Sequence, residues 1–290
     1  MANDILTMIK VCAAISVFTF VFSRGLGTRI DDLGYFSTRS GLMARSFLSV
    51  DVLVPLITIA VIYLVSPSRA TAIGLILLAA APVAPLVSKN IANAGGKLDY
   101  AMSLQVLLAS LAIVTTPALL YLLSRVTGIT MNIDPISVAE SVGLSVLVPI
   151  LGGVFVRRLF PALAERLIRP LEICSIVVLA LVFIIVLLFT YQLVFVPNIR
   201  SYIAMVLVVV GALAAGHLMA PGLPEEQTTL ALESAARNSG LALLIASEYA
   251  SLERALPVMI PYLLLSAAIC FIYIRYRKMG HGITRPTRSG

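Results

Sequence analysis

Apolar runs of about twenty residues recur along the whole chain, separated by short segments that hold most of the charged side chains. A helix rises about 1.5 Å per residue, so each run is long enough to span a hydrocarbon core of about 30 Å. Nine spans are predicted, over 5–23, 46–66, 70–94, 100–123, 136–156, 172–196, 202–220, 224–248 and 255–274. None alternates with a period of two, as the strands of an outer-membrane barrel do. The pattern predicts an all-α polytopic membrane protein with nine transmembrane helices.

Two of the nine are poor helices. The third span carries Pro82 and Pro85, then Ser88, Lys89 and Asn90, and ends in Asn93-Ala94-Gly95-Gly96. The eighth carries Glu233, Arg237, Asn238, Ser239 and Gly240 in its middle. Proline removes a backbone donor and disfavours the helical form of the residue before it. Non-helical backbone at membrane depth survives only where it lines a cavity or is buried in protein. A cation-Asn dipeptide stands in each interruption, Lys89-Asn90 and Arg237-Asn238, about half the chain apart. Paired interrupted spans are the mark of an inverted-repeat transporter, with two discontinuous helices meeting at a central site. The expected division is 1–128 as a first half of four spans, 129–278 as a second half of five, and 279–290 as a cytoplasmic tail. With a five-helix repeat unit, the first copy lacks its leading helix.

Composition narrows the class. Of 290 residues, 60% are apolar and 12% charged, against about 25% charged in a soluble domain. That excludes a soluble, disordered, collagenous or disulfide-stapled chain. The net charge of +7 implies basic inner loops rather than nucleic acid as a partner. With the N-terminus outside, Arg24, Arg29, Arg39, Arg45, Lys97, Arg157, Arg158, Arg166 and Arg169 fall in inner loops. Arg275, Arg277, Lys278, Arg285 and Arg288 fall in the tail, and only Arg69, Arg125, Arg200 and Arg254 lie outside. The expected setting is a bacterial inner membrane with the C-terminus cytoplasmic and the lipid bilayer as partner. Trp is absent, so Tyr35, Tyr63, Tyr121, Tyr202 and Tyr276 are assigned the interfacial role. Cys12, Cys174 and Cys270 lie in apolar runs without Cys-x-x-Cys spacing and read as buried small hydrophobes. The first span has no small-residue cleavage site and reads as retained.

Ionisable groups at membrane depth are the candidate machinery. Glu233 and Arg237 are four residues apart and would share a helix face, either as a structural pair or as partners that change during transport. Lys89 is either a snorkelling side chain at a helix end or lies a turn or two inside. Asp51, less than two turns beyond Arg45, is an interfacial acid or a site residue. Glu140 and Glu172 are expected at the interface, and His217 as a satisfied core histidine.

These residues give the chain its resemblance to the bile acid:sodium symporter family. Glu225 to Ser247, EEQTTLALESAARNSGLALLIAS, resembles the family's motif built around Glu-x-x-x-Gln-Asn. Pro149 to Arg169, PILGGVFVRRLFPALAERLIR, is similar to its sixth helix and basic connector, and Pro82 to Ser103 to its first break. The resemblance implies a core and a panel domain with a substrate cavity between them, and two sodium ions in the core. It also implies ten helices in many members and nine in others. Asn90 then matches the Asn of the first break, Ser103 a sodium-ligating Ser, Glu233 the Glu shared by both sodium sites, and Asn238 the Asn of the second break. Lys89 stands where the family has Ser, and Arg237 where it has the sodium-site Gln. Leu107 replaces a Thr ligand, and Val50, next to Asp51, replaces a Gln. Lys and Arg carry donors only and cannot ligate sodium, but either can supply its charge.

The expected function is a secondary transporter of a small or amphipathic organic anion, a carboxylate, working by alternating access and without sodium coupling, because Lys89 and Arg237 replace sodium-site residues. Ser88, Lys89, Asn90, Asn238 and Ser239 form the expected crossing site. Lys89, Glu233, Arg237 and Asp51 are the coupling group, and Asn90, Ser103 and Glu233 a vestigial sodium site. No cofactor or metal is expected, and a Lys in a dry site is able to carry a proton. A sodium-coupled bile-acid-type symporter, and a non-transporting sensor or partner subunit of the same fold, stand as alternatives. Enzymatic chemistry is not expected: the only Asp pair is Asp31-Asp32 in a loop, and protease motifs are missing.

Overall fold

A computed structural model of the chain describes residues 2–28, 34–36, 39–82, 87–129, 134–194, 198–249 and 252–280. Those residues are helical, with turns between helices and no strand among them. The helices are α1 (Ala2–Gly27), α2 (Ser40–Val65), α3 (Arg69–Ala79), α4 (Val87–Asn93), α5 (Leu98–Thr127) and α6 (Pro135–Leu159). They continue as α7 (Pro161–Val194), α8 (Ile199–Met219), α9 (Pro224–Ala235), α10 (Ser239–Tyr249) and α11 (Leu252–Gly280). Among the described residues, five stretches are long and apolar enough to cross a membrane: Ser40–Val65, Leu98–Thr127, Pro135–Leu159, Ile199–Met219 and Val258–Met279.

Each expected span falls on a helix, and the two poor spans are the two that break. The third is split into α3 and α4, and the eighth into α9 and α10. The half-helices lie at the centre of the bundle: Thr71–Ala79 of α3 and Thr228–Ala235 of α9 are buried without a break. A helix apolar on all faces, as α3 is beyond its first turn, has no side to give to its surroundings and packs inside, whereas α9 takes buried polar groups inside with it. Longer helices with an exposed face, such as α2, α5 and α6, surround them.

Small residues set the closest contacts. A Cβ on Gly153 of α6 would lie 2.3 Å from the Phe22 carbonyl, and one on Gly25 of α1 would lie 2.2 Å from the Ile150 carbonyl. The two helices therefore cross with their backbones in contact, as small residues allow in membrane bundles. Both α2 and α6 contain a π-helical segment, Leu48–Leu53 and Gly143–Leu147, each followed directly by a Val-Pro pair. Gly128, at φ 68°, closes α5 in the left-handed conformation that suits glycine.

Several expectations are corrected. Arg24 and Arg277 are not loop and tail cations; they lie in α1 and α11, both buried. Both helices run past the ends that hydropathy sets for them, and at Arg24 and Arg277 a buried acceptor meets the guanidinium. Arg24 meets Glu172, while Arg277 donates to Thr228 Oγ1 at 2.8 Å and the Pro224 carbonyl at 2.6 Å. Glu172 is accordingly buried as well. Cys174 is exposed and Cys12 half-buried, so only Cys270 is the buried thiol expected; all three are free. His217 does have its partner, with Nδ1 2.8 Å from the Tyr273 hydroxyl. Arg29, Asp31, Asp32, Pro85, Arg285 and Arg288, the side chain of Arg254, and all but the first two residues of the expected tail lie outside the described residues.

Candidate functional site

The two breaks touch each other. The N–H of Asn238 donates to the carbonyl of Ala81 at 3.1 Å, joining segments 157 residues apart. Asn238 also caps α10, its side-chain oxygen accepting from Leu241 N at 3.0 Å. Asn is suited to this place because its short amide can bond to backbone where a helix begins.

Arg237 fastens the junction. Its Nε donates to the Leu78 carbonyl at 3.0 Å, its Nη1 to the Val50 carbonyl at 3.2 Å, and its Nη2 to the Ala79 carbonyl. The acceptors have capacity for identifiable reasons. The Leu78 carbonyl takes one backbone bond, from Ala81 N–H at 3.1 Å, and offers its second lone pair to Arg237, while Ala79 belongs to the last turn of α3, where carbonyls lose their helical donors. In the π segment of α2, Val54 N–H bonds back five residues to Ser49. The next bond in that register would run from Pro55 to Val50, and Pro55 has no hydrogen to give. A guanidinium with five fixed donors fills such a set of carbonyls well. It also places a positive charge at the negative end of the α3 dipole. Asp51, 3% exposed and with neither carboxylate oxygen hydrogen-bonded among the described residues, lies within Coulombic reach of Arg237.

Glu233 is fully buried, and Arg237 is not its partner. The helix ends at Ala235, between them, so the four-residue spacing does not put them on one face. One oxygen, Oε1, accepts from Gln105 Nε2 at 2.7 Å, and Gln105 Nε2 also reaches Ser88 Oγ at 3.0 Å. Oε2 has no hydrogen-bond partner among the described residues. The cation within Coulombic reach of Glu233 is Arg24. Lys89 points elsewhere: its side chain is 60% exposed, with Nζ 3.5 Å from Glu172 Oε2. Ser103 is buried on α5, two residues before Gln105.

A cavity of about 350 Å³ opens beside the junction. Asn90, Arg237, Asn238 and Ser239 give it a polar wall, while α1, α7 and α11 supply apolar surface, with Cys270 at its edge. Three of the five expected crossing-site residues, Asn90, Asn238 and Ser239, therefore share one wall. A smaller cleft of about 20 Å³ is bordered by Asn238, Arg24, Pro82 and Gln105. Sequence reasoning did not single out Arg24 or Gln105. A lone amide in the apolar run that starts at Leu104 was the available sign for Gln105.

A second polar cluster joins the first turn of α9 and α5 to the loop before α2. Tyr35 donates to Glu226 Oε1 at 2.7 Å, Arg39 pairs with the same oxygen at 2.6 Å, and Tyr35 stacks on Tyr100. Burial, then the bond to Glu226, holds the Tyr35 phenol above its ordinary pKa.

No curated protein matches the chain. The family model described as the sodium bile acid symporter family matches residues 14–197, which include the first break and end before the second. With nearly two thirds of its length in that match, this helical membrane protein belongs to the sodium bile acid symporter family.

Proposed function

We propose that the chain is a secondary transporter of an organic carboxylate that works by alternating access and without sodium coupling. The observation that carries this reading is the seat of Arg237. Its guanidinium holds carbonyls of Val50, Leu78 and Ala79 where two membrane segments break or bulge. Such oxygens are what a hard cation takes as ligands, and a tethered cation there supplies the charge permanently. Arg24, within reach of Glu233, plays the same part for the buried acid. Lys89 belongs to this account through Glu172 rather than through Glu233. On this reading the division at 128/129 separates two inverted repeats, and the nine spans sort into a core and a panel domain.

The cavity supports an anion as cargo. Its polar wall carries two asparagines, a serine and an arginine, and the N-terminal turn of α10 begins in it at Ser239. Helix N-termini and such donors favour negative charge. The apolar remainder suits a hydrocarbon body, as expected of a ligand pocket of this size.

The test is uptake of a panel of radiolabelled carboxylates into proteoliposomes, with imposed sodium gradient, imposed proton gradient, and neither. Uptake that saturates and is indifferent to sodium is expected. Stimulation of more than tenfold by inward sodium would refute the absence of sodium coupling. Absence of flux for every carboxylate would instead favour the non-transporting subunit.

A further inference from the structure

A charged residue stands beyond the cavity wall on α1 and on α7, and a third lies between the wall residues Val87 and Asn90 of α4. Arg24 follows the wall residue Val21 by three positions in α1, Glu172 precedes the wall residue Ser175 by three in α7, and Lys89 adjoins Asn90 in α4. The three meet as one cluster. Arg24 Nη2 lies 2.8 Å from Glu172 Oε1, and Lys89 Nζ lies 3.5 Å from Glu172 Oε2. Arg24 and Glu172 are buried, and Arg24 Nε has no hydrogen-bond partner among the described residues. The Arg24 side chain also borders the small cleft with Gln105 and Asn238, so it looks onto the junction of the breaks.

We propose that Arg24, Glu172 and Lys89 form an ion-pair gate at one end of the cavity, and that an entering carboxylate opens it by taking the place of Glu172 on Arg24. The proposal rests on the organic-anion reading given above and names the residues that would sort anions from other cargo. Arg24 faces Glu233 as well as Glu172, so an entering carboxylate replaces Glu172 on Arg24 rather than joining it. A guanidinium fork binds a carboxylate through two parallel N–H donors, and Arg24 uses only part of its fork on Glu172. The Lys89 bond is the weaker link. It is longer, and its side chain is mostly exposed, where an ion pair contributes little. Since Arg24, Glu172 and Lys89 belong to α1, α7 and α4, exchange of one carboxylate for another on Arg24 would part α1 from α7 and leave Glu172 to Lys89 of the break. An occupant with a compact anionic head and an apolar tail of about eight carbons matches a cavity of this size and lining.

The full chain, carrying Cys12→Ser and Cys174→Ser and reconstituted in liposomes, keeps Cys270 as a reporter at the cavity wall. Two quantities are measured: the rate at which a water-soluble methanethiosulfonate modifies Cys270, and the affinity for octanoate, with octyltrimethylammonium as the control of opposite charge. Glu172→Gln removes the resident anion, so modification should quicken at least tenfold and octanoate should bind at least tenfold more tightly. Arg24→Gln should abolish octanoate binding. Glu172→Asp keeps the charge but draws the carboxylate back from Lys89, and should give smaller changes in the same direction if Glu172→Gln does not fold. Unchanged modification in the Glu172 variants would overturn the gate. Equal octanoate affinity with and without the Glu172 carboxylate, or equal affinity for the quaternary amine, would overturn the displacement. A failure of the transport reading shows elsewhere, as absent carboxylate flux with both responses intact, and that outcome upholds the gate.

Discussion

Replacing Arg237 by Met removes three charge-assisted hydrogen bonds at once, to Leu78, Val50 and Ala79 carbonyls, and leaves Asp51 without its cation. Hydrogen bonds from a charged donor contribute about 1.5–3 kcal/mol each. Three would give several kcal/mol, but the penalty for burying the guanidinium disappears with it. Breaking a buried charge pair by removing one partner costs about 3–5 kcal/mol, and that is the expected loss. Equilibrium unfolding in mixed micelles measures it. Two second-site changes give the reasoning its sharp edge. Asp51→Asn in the Arg237→Met background should recover part of the loss, because the uncompensated carboxylate is gone. Pro55→Ala should help there too, since alanine supplies the N–H that Val50 lacks, while the same change in the parent chain should be neutral or harmful. A coupling of about 1 kcal/mol between positions 55 and 237 is expected. A loss under about 1 kcal/mol for Arg237→Met, or the same effect of Pro55→Ala in both backgrounds, would refute the assignment of Arg237 to the carbonyl that Pro55 leaves open.

Other expectations are independent of that junction. Gly153→Ala would put a Cβ 2.3 Å from the Phe22 carbonyl, so α1 and α6 must separate; a loss of about 1–3 kcal/mol should appear in the same unfolding assay. Asp134 caps α6 by accepting from Ser137 Oγ and Ser137 N–H, which holds its carboxyl below the ordinary value of 3.8. Its support for the helix start should be complete above pH 3.8 and fade as pH falls through the lowered value, so Asp134→Ala should flatten that acid limb of an unfolding profile. Arg277→Met should loosen the first turn of α9, seen as faster amide exchange at Thr228 and its neighbours, because two donors to that turn are lost. Arg39→Ala should change stability by less than about 1 kcal/mol despite its short bond to Glu226, since the Arg39 side chain is 41% exposed.

The breaks were legible because proline, glycine and charge interrupt an apolar run in ways that few other arrangements tolerate. Asn238 and Asn90 followed from the same reading. What the sequence could not show was which cation meets which acid. Glu233 and Arg237 are four apart, and the rule for helix faces pairs them, but the rule assumes a helix that continues and this one stops at Ala235. Arg24 and Glu172 sit at the ends of apolar runs, where each alone reads as an interfacial charge. Their meeting depends on how α1 packs against α7, and no local pattern in either segment encodes that. Gln105 carries no charge and so escaped a search built on ionisable groups, although it holds the most deeply buried acid in place.

The hydrogen bond from Asn238 to Ala81 has a consequence for biosynthesis. Helices of eleven, seven, twelve and eleven residues are each too short to cross the bilayer, which takes about twenty. The first pair emerges early, with the Val50, Leu78 and Ala79 carbonyls lacking the donor that will later serve them. That donor, Arg237, is made after most of the chain has left the ribosome. The early segments must therefore wait, sheltered by their neighbours or by water, in an unfinished state. Completion of the core is a late and single event, so a defect near residue 237 would send the whole chain to quality control, including the well-inserted helices that precede it.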